Sequence, residues 1–278
     1  FILTRVVKRQ ITFTASVRVY LGGSFFGLVT PFGSGLLPAQ IYILANEGLS
    51  PGQATAVASS RATISSWIFV LLGLVVFIAF RSSLPSPIGG DLLLGVIIAA
   101  IIWLAIIIFF IKRPESAKKA VLRITESRII SNRVQGGLLD KIRDRMYKEI
   151  DHLSSNLRSL FSYANIPAIA AILASEAIAW LGIFAVLPLT LLGFGVRGNL
   201  AQLIFRMLLL FSLAPVSPTP GGSGVVEVAS TGLLLNIVPA HIIGLVVLVW
   251  RALTYYLLLL AGGIVILRFI AKSALPRD

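Results

Sequence analysis

Two short strings carry residue types suited to holding a buried anion. They are Thr30-Pro31-Phe32-Gly33-Ser34-Gly35 and Thr219-Pro220-Gly221-Gly222-Ser223-Gly224, the second followed by Glu227. Thr-Pro is a good opening for a helix, as N-cap and first helical residue. A helix start presents unpaired amide N–H groups and the positive end of the macrodipole. Glycines let an oxyanion come close to the backbone, and Ser34 and Ser223 add a hydroxyl each. Glycine and serine at helix contacts can also serve close packing alone. Each string has an arginine before it (Arg18, Arg206) and another after it (Arg61, Arg251). Arginine is the side chain for bidentate capture of phosphate or carboxylate. Thr254 and Tyr255 lie one turn from Arg251, and Ser65 one turn from Arg61, placed to orient the guanidinium groups.

The order Arg, Thr-Pro-x-Gly-Ser-Gly, Pro, Arg occurs twice with nearly the same spacing, so the chain contains an internal repeat. Of its 278 residues 57% are hydrophobic and 13% charged. Soluble domains average about 25% charged residues, so this chain is expected to be an integral membrane protein. The net charge of +13 clusters between and after apolar runs, which fits cytoplasmic loops over anionic lipid and argues against nucleic acid. There is no cysteine, hence no disulfide or thiol chemistry. The chain starts at Phe1, and native sequence is expected ahead of it.

The reading along the chain is all-α and polytopic, in three parts: a first membrane repeat (1–111), a basic cytoplasmic amphipathic segment (112–165) and a second membrane repeat (166–278). A helix from Thr30 stops near Asn46, before Gly48, and is too short to span comfortably at 1.5 Å per residue. Ser50-Pro51-Gly52-Gln53 reads as a fresh capped start to a helix reaching Phe80. Residues 92–111 and 166–191 are apolar crossings. Residues 112–160 hold twelve Lys/Arg and six Asp/Glu and are expected against an anionic lipid surface. Residues 10–47 and 200–236 are then re-entrant hairpins, with three spans between them. An odd number inverts the second repeat relative to the first, keeping 112–160 and the C-terminus cytoplasmic.

In that arrangement the Thr-Pro starts meet at mid-depth. Glu176 and Glu227 are the internal acids, available to pair with arginines or to carry a coupling proton. No phosphate-binding Gly-x-x-x-x-Gly-Lys string is present, and His152 and His241 have no metal-ligand company. No cofactor or metal is expected; a homo-oligomer is left open.

The two motifs, continuing through Pro38-Ala39-Gln40-Ile41-Tyr42 in the first copy, together with Arg251-Ala252-Leu253-Thr254-Tyr255-Tyr256, resemble the lysylphosphatidylglycerol synthase transmembrane-domain, or flippase-like, family. Leu36-Leu37 departs from the further glycine expected there. The resemblance implies a lipid flippase of a prokaryotic cytoplasmic membrane, with a phosphate-headgroup lipid as its partner. That lipid would be lysylphosphatidylglycerol-like or polyprenyl-phosphate-linked. The alternative is a membrane-embedded head-group transferase, such as the synthase itself, or its accessory subunit.

Overall fold

The computed structural model describes residues 1–6, 10–80, 113–125, 166–213 and 217–274, with single positions between 94 and 109 and between 139 and 151. The described residues are helical, with no strand. In chain order the helices are α1 (Ile2–Val6), α2 (Phe13–Val29), α3 (Leu36–Asn46), α4 (Pro51–Phe80), α5 (Pro114–Thr125), α6 (Ile166–Gly193), α7 (Leu200–Leu213), α8 (Val225–Leu234), α9 (Ile243–Arg251) and α10 (Leu257–Ala274). Among the described residues, three stretches are long and apolar enough to cross a membrane: Pro51–Val75, Ile166–Gly193 and Ile243–Ala271.

Local chemistry explains the boundaries. Thr12 caps α2 by accepting the Ala15 N–H at 3.1 Å. The Ser50–Gln53 capping box forms as expected: Gln53 N–H donates to Ser50 Oγ at 3.3 Å and Ser50 N–H to Gln53 Oε1 at 3.0 Å. Gly48, at φ 93°, ends the preceding helix. The apolar span 92–111 and most of 112–165 lie outside the described residues. Within the latter, α5 is amphipathic, and its Lys118 reaches Asp151 at 2.7 Å.

The helices expected to open at Thr30 and Thr219 do not. Pro31–Gly33 and Pro220–Gly222 form single tight turns, and the helices open later, at Leu36 and Val225. The reason is a left-handed residue at the same place in each copy, Phe32 (φ 56°, ψ 15°) and Gly221 (φ 58°, ψ 16°), followed by Gly33 at φ 65° and Gly222 at φ 71°. Residues 32 and 221 are separated by the same 189 positions as Thr30 and Thr219. The same spacing carries α3 onto α8 and α4 onto the stretch holding α9 and α10.

α2 and α3 form an antiparallel hairpin about the first turn. Gly22 faces Ile43, Gly23 faces Gln40 and Gly27 faces Leu36, while Arg18 closes the open end with Glu47 at 3.1 Å. α7 and α8 flank the second turn, and there Arg206 donates to the Leu233 carbonyl. Packing between the copies is reciprocal. Gly262 of α10 lies on Leu21 and Phe25 of α2, and Gly73 of α4 lies near Leu208 of α7. Trp180 of α6 ties α4 to α7, with ring centroids 4.8 Å from Phe69 and 5.9 Å from Phe211.

Candidate functional site

The two turns meet. The Phe32 N–H donates to the Ser217 carbonyl at 3.3 Å, and both turns border one cavity of about 890 Å³. Gly33 contributes from one turn and Thr219, Gly221 and Gly222 from the other; Arg251, Thr254 and Tyr255 stand beside them. The rest of the wall is mostly apolar, drawn from α2, α6, α7 and the last helix.

Arg251 is the centre of the polar end and is only 6% exposed. Its Nε donates to Glu227 Oε1 at 2.7 Å, its Nη2 donates to the Gly221 carbonyl at 3.2 Å, and its Cζ sits 4.2 Å from the centroid of the Tyr255 ring. The second Glu227 oxygen accepts the Gly224 N–H at 2.7 Å, so one carboxylate both caps α8 and fixes the arginine. A π-helical turn, Ala252–Tyr256, follows Arg251 and brings Tyr255 onto the second turn. An added Cβ at Gly221 would lie 2.1 Å from Tyr255 Cε2, so a glycine is required there for space as well as for φ.

Arg61, the repeat counterpart of Arg251, is arranged differently. Its Nε lies 3.3 Å from Glu176 Oε1 and its Cζ lies 5.3 Å from the centroid of Tyr20, a cavity residue. Arg61 and Glu176 do not themselves line the cavity, and Glu227 does not either. Arg18 and Arg206 hold the open ends of the hairpins and lie apart from the cavity wall. Ser65 does not orient Arg61; its Oγ accepts the indole N–H of Trp180 at 3.2 Å.

Most of the motif amides are spent within the chain, which changes the chemistry expected of them. Gly33 N–H goes to the Thr30 carbonyl, Ser34 N–H to the Pro31 carbonyl and Gly35 N–H to Thr30 Oγ1 at 2.8 Å. Gly222 and Ser223 repeat the first two bonds, to Thr219 and Pro220. Thr30, Pro31, Ser34, Gly35, Pro220, Ser223 and Gly224 therefore shape the turns without lining the cavity, and both serines face away from it, exposed. What the arrangement can present to an anion is a guanidinium and a ring of hydroxyls, rather than a cradle of amides. Tyr20, Ser24 and Thr254 join this ring. Tyr20 and Ser24 are in no motif, and their α2 spacing toward the turn is the only signal that could have found them.

Comparison with known proteins identifies the family. Residues 2–262 match the family model described as the lysylphosphatidylglycerol synthase TM region. A UPF0104 membrane protein of Archaeoglobus fulgidus is 22% identical over 286 residues, covering 100% of this chain and 83% of that protein. No solved structure matches the chain. A match over nearly the whole length, containing both turns and Arg251, makes this chain a member of the lysylphosphatidylglycerol synthase transmembrane-region family of membrane proteins.

Proposed function

We propose that this chain moves a lipid with an anionic phosphate head group between the leaflets of a prokaryotic cytoplasmic membrane. The observation that carries the reading is the convergence of both repeats' turns on one largely apolar cavity with a buried arginine at its polar end. Acyl or prenyl chains suit such a wall, and a phosphate oxygen suits the guanidinium and hydroxyls that would replace its water.

The repeats are inverted in this proposal, as two re-entrant hairpins entering from opposite sides. What supports it is that the hairpins meet at their tips, through the Phe32–Ser217 bond, while each copy's long helix packs on the other copy's first hairpin helix. Such reciprocal contacts follow from a two-fold relation between halves. Residues 112–160 and the C-terminus are then cytoplasmic, by their excess of positive charge. Cysteines placed at Ser86 and Ser131 of this cysteine-free chain should be labelled from opposite sides; labelling from one side defeats the topology.

Transport is favoured over head-group transfer by the state of the acids. A transferase needs a free base at the reacting atoms, and Glu176 and Glu227 are each held by an arginine away from the cavity wall. Purified protein in liposomes should therefore change the accessibility of an acyl-labelled phospholipid to an outside quencher without changing the lipid's mass. A changed mass sinks the transport reading, and so does unchanged accessibility.

A further inference from the structure

Where this chain keeps its acids bears on whether the carried head group has a positive charge beside its phosphate. Among the described residues, the apolar helices and the turns between them hold three carboxylates, Glu47, Glu176 and Glu227; outside the described residues, 81–91 hold Asp91, and 92–111 and 214–216 hold none. Each is already taken by an arginine: Glu47 by Arg18 at 3.1 Å, Glu176 by Arg61 at 3.3 Å and Glu227 by Arg251 at 2.7 Å. None of the three lines the cavity. Among the described residues, the hydrogen-bonding side chains at the wall are Arg251, the indole N–H of Trp250 and the hydroxyls of Tyr20, Ser24, Thr219, Thr254 and Tyr255. Thr254 and Thr219 already donate their protons, to the Trp250 and Ser223 carbonyls at 2.8 Å. The guanidinium and the remaining hydroxyls, of Tyr20, Ser24 and Tyr255, can stand in for water around a phosphate oxygen. Nothing in that set can neutralise an ammonium.

The balance of charge points the same way. Arg18, Arg61, Arg197, Arg206, Arg251 and Arg268 outnumber the three acids in these helices and turns. Arg206 has the Leu233 carbonyl and, among the described residues, no carboxylate within salt-bridge reach. A phosphate monoanion lowers that excess. A lysylated head group brings two ammonium groups for one phosphate and raises it, and an unpaired ammonium in apolar surroundings is among the least favourable burials.

We infer that the cavity selects a phosphate lipid whose head group carries no amine, and that an aminoacylated head group is excluded. The inference rests on the transport reading for the identity of the site and on the charge inventory for its content. Two lipids share the chemistry: an amine-free diacyl phospholipid such as phosphatidylglycerol, and a polyprenyl phosphate.

Two measurements on the full chain separate these claims. In the first, purified protein is equilibrated with equimolar phosphatidylglycerol, lysylphosphatidylglycerol and polyprenyl phosphate, and retained lipid is counted by native mass spectrometry. Amine-free lipids should exceed the lysylated one by about tenfold or more, the size of one lost charged contact. The ratio of the two amine-free lipids names the source. Equal or preferred retention of lysylphosphatidylglycerol overturns the inference, as does retention of none of the three. In the second, acyl-labelled phosphatidylglycerol and lysylphosphatidylglycerol are followed across liposome leaflets. Selective retention without movement of any retained lipid leaves the head-group inference standing and removes the transport reading. Equal movement of both labelled lipids does the reverse.

Discussion

Replacing Gly221 with alanine tests how the second turn fixes Arg251, and its effect can be worked from geometry. Gly221 sits at φ 58°, ψ 16°, where an L-residue costs about 1–2 kcal/mol. Its new Cβ would lie 2.1 Å from Tyr255 Cε2, against an ordinary carbon separation of about 3.5–4.0 Å. The ring must retreat, and overpacking of that kind costs a further 1–3 kcal/mol or so. A total of roughly 2–5 kcal/mol is expected, with lipid movement impaired because the retreating ring is the one stacked on Arg251. Gly33→Ala is the control. Gly33 has φ 65°, but the nearest atom to an added Cβ there is 3.8 Å away, so backbone strain of about 1–2 kcal/mol is all it should show. A Tyr255→Ala background completes the cycle. With the ring gone, Gly221→Ala should fall to the strain cost alone, a coupling of about 1–3 kcal/mol. Reversible SDS unfolding in detergent reads all four proteins. Equal costs for Gly221→Ala and Gly33→Ala, or no coupling to Tyr255, would refute the reasoning.

Three further substitutions probe the same frame. Phe32 occupies a left-handed conformation with 57% of its surface exposed, so Phe32→Gly should relieve strain at little loss of burial. After the extra chain entropy of glycine the net gain is about 0.5–1 kcal/mol in the unfolding assay; a loss would mean that the ring is packed. Arg251→Gln removes a nearly buried arginine with its bonds to Glu227 and the Gly221 carbonyl and its stacking on Tyr255, which should cost about 2–3 kcal/mol and stop lipid movement. Arg61→Gln breaks one longer contact of an arginine that is itself about a third exposed and should cost nearer 1 kcal/mol. An equal or reversed ranking of the two would contradict the difference in burial.

Much of the frame is legible in the sequence because local signals set it. Ser50-x-x-Gln53 and Gly48 mark a helix start and stop by side-chain and backbone chemistry alone, and the structure places both where expected. The Thr-Pro starts fail for an instructive reason. Proline at the first helical position is compatible with a tight turn as well as with a helix, and the residue that decides between them is the next one. Phe32 alone gives no hint of a left-handed conformation; its counterpart Gly221 does, because only a position tolerant of that conformation is free to be glycine in the other copy. The cavity wall was not legible, since Leu210, Val186 or Ile183 facing a cavity has the same composition as a residue facing lipid. The arginine partners were not legible either. Pairing across 24 residues for Arg251 and 115 for Arg61 depends on packing angles that no local signal specifies.

The copies are alike in backbone and unlike in charge, and that contrast has a mechanical consequence. The residue 189 positions before Glu227 is Pro38, so the first repeat has no acid at the matching position to hold Arg61. Arg61 is held instead by Glu176, from a helix outside the repeated motif, and the Phe32 carbonyl is not among its bonds as the Gly221 carbonyl is for Arg251. An arriving phosphate therefore meets two different competitors. At Arg251 it must displace or share a carboxylate that also caps α8, so freeing the arginine loosens the start of that helix as well. At Arg61, itself about a third exposed, it competes with one longer contact from Glu176. Freeing a charge costs more where burial is deeper and the partner is bound twice. The barrier to any motion that opens the polar end of the cavity is accordingly concentrated at Arg251, Glu227 and Gly221, and far less at their counterparts in the first repeat.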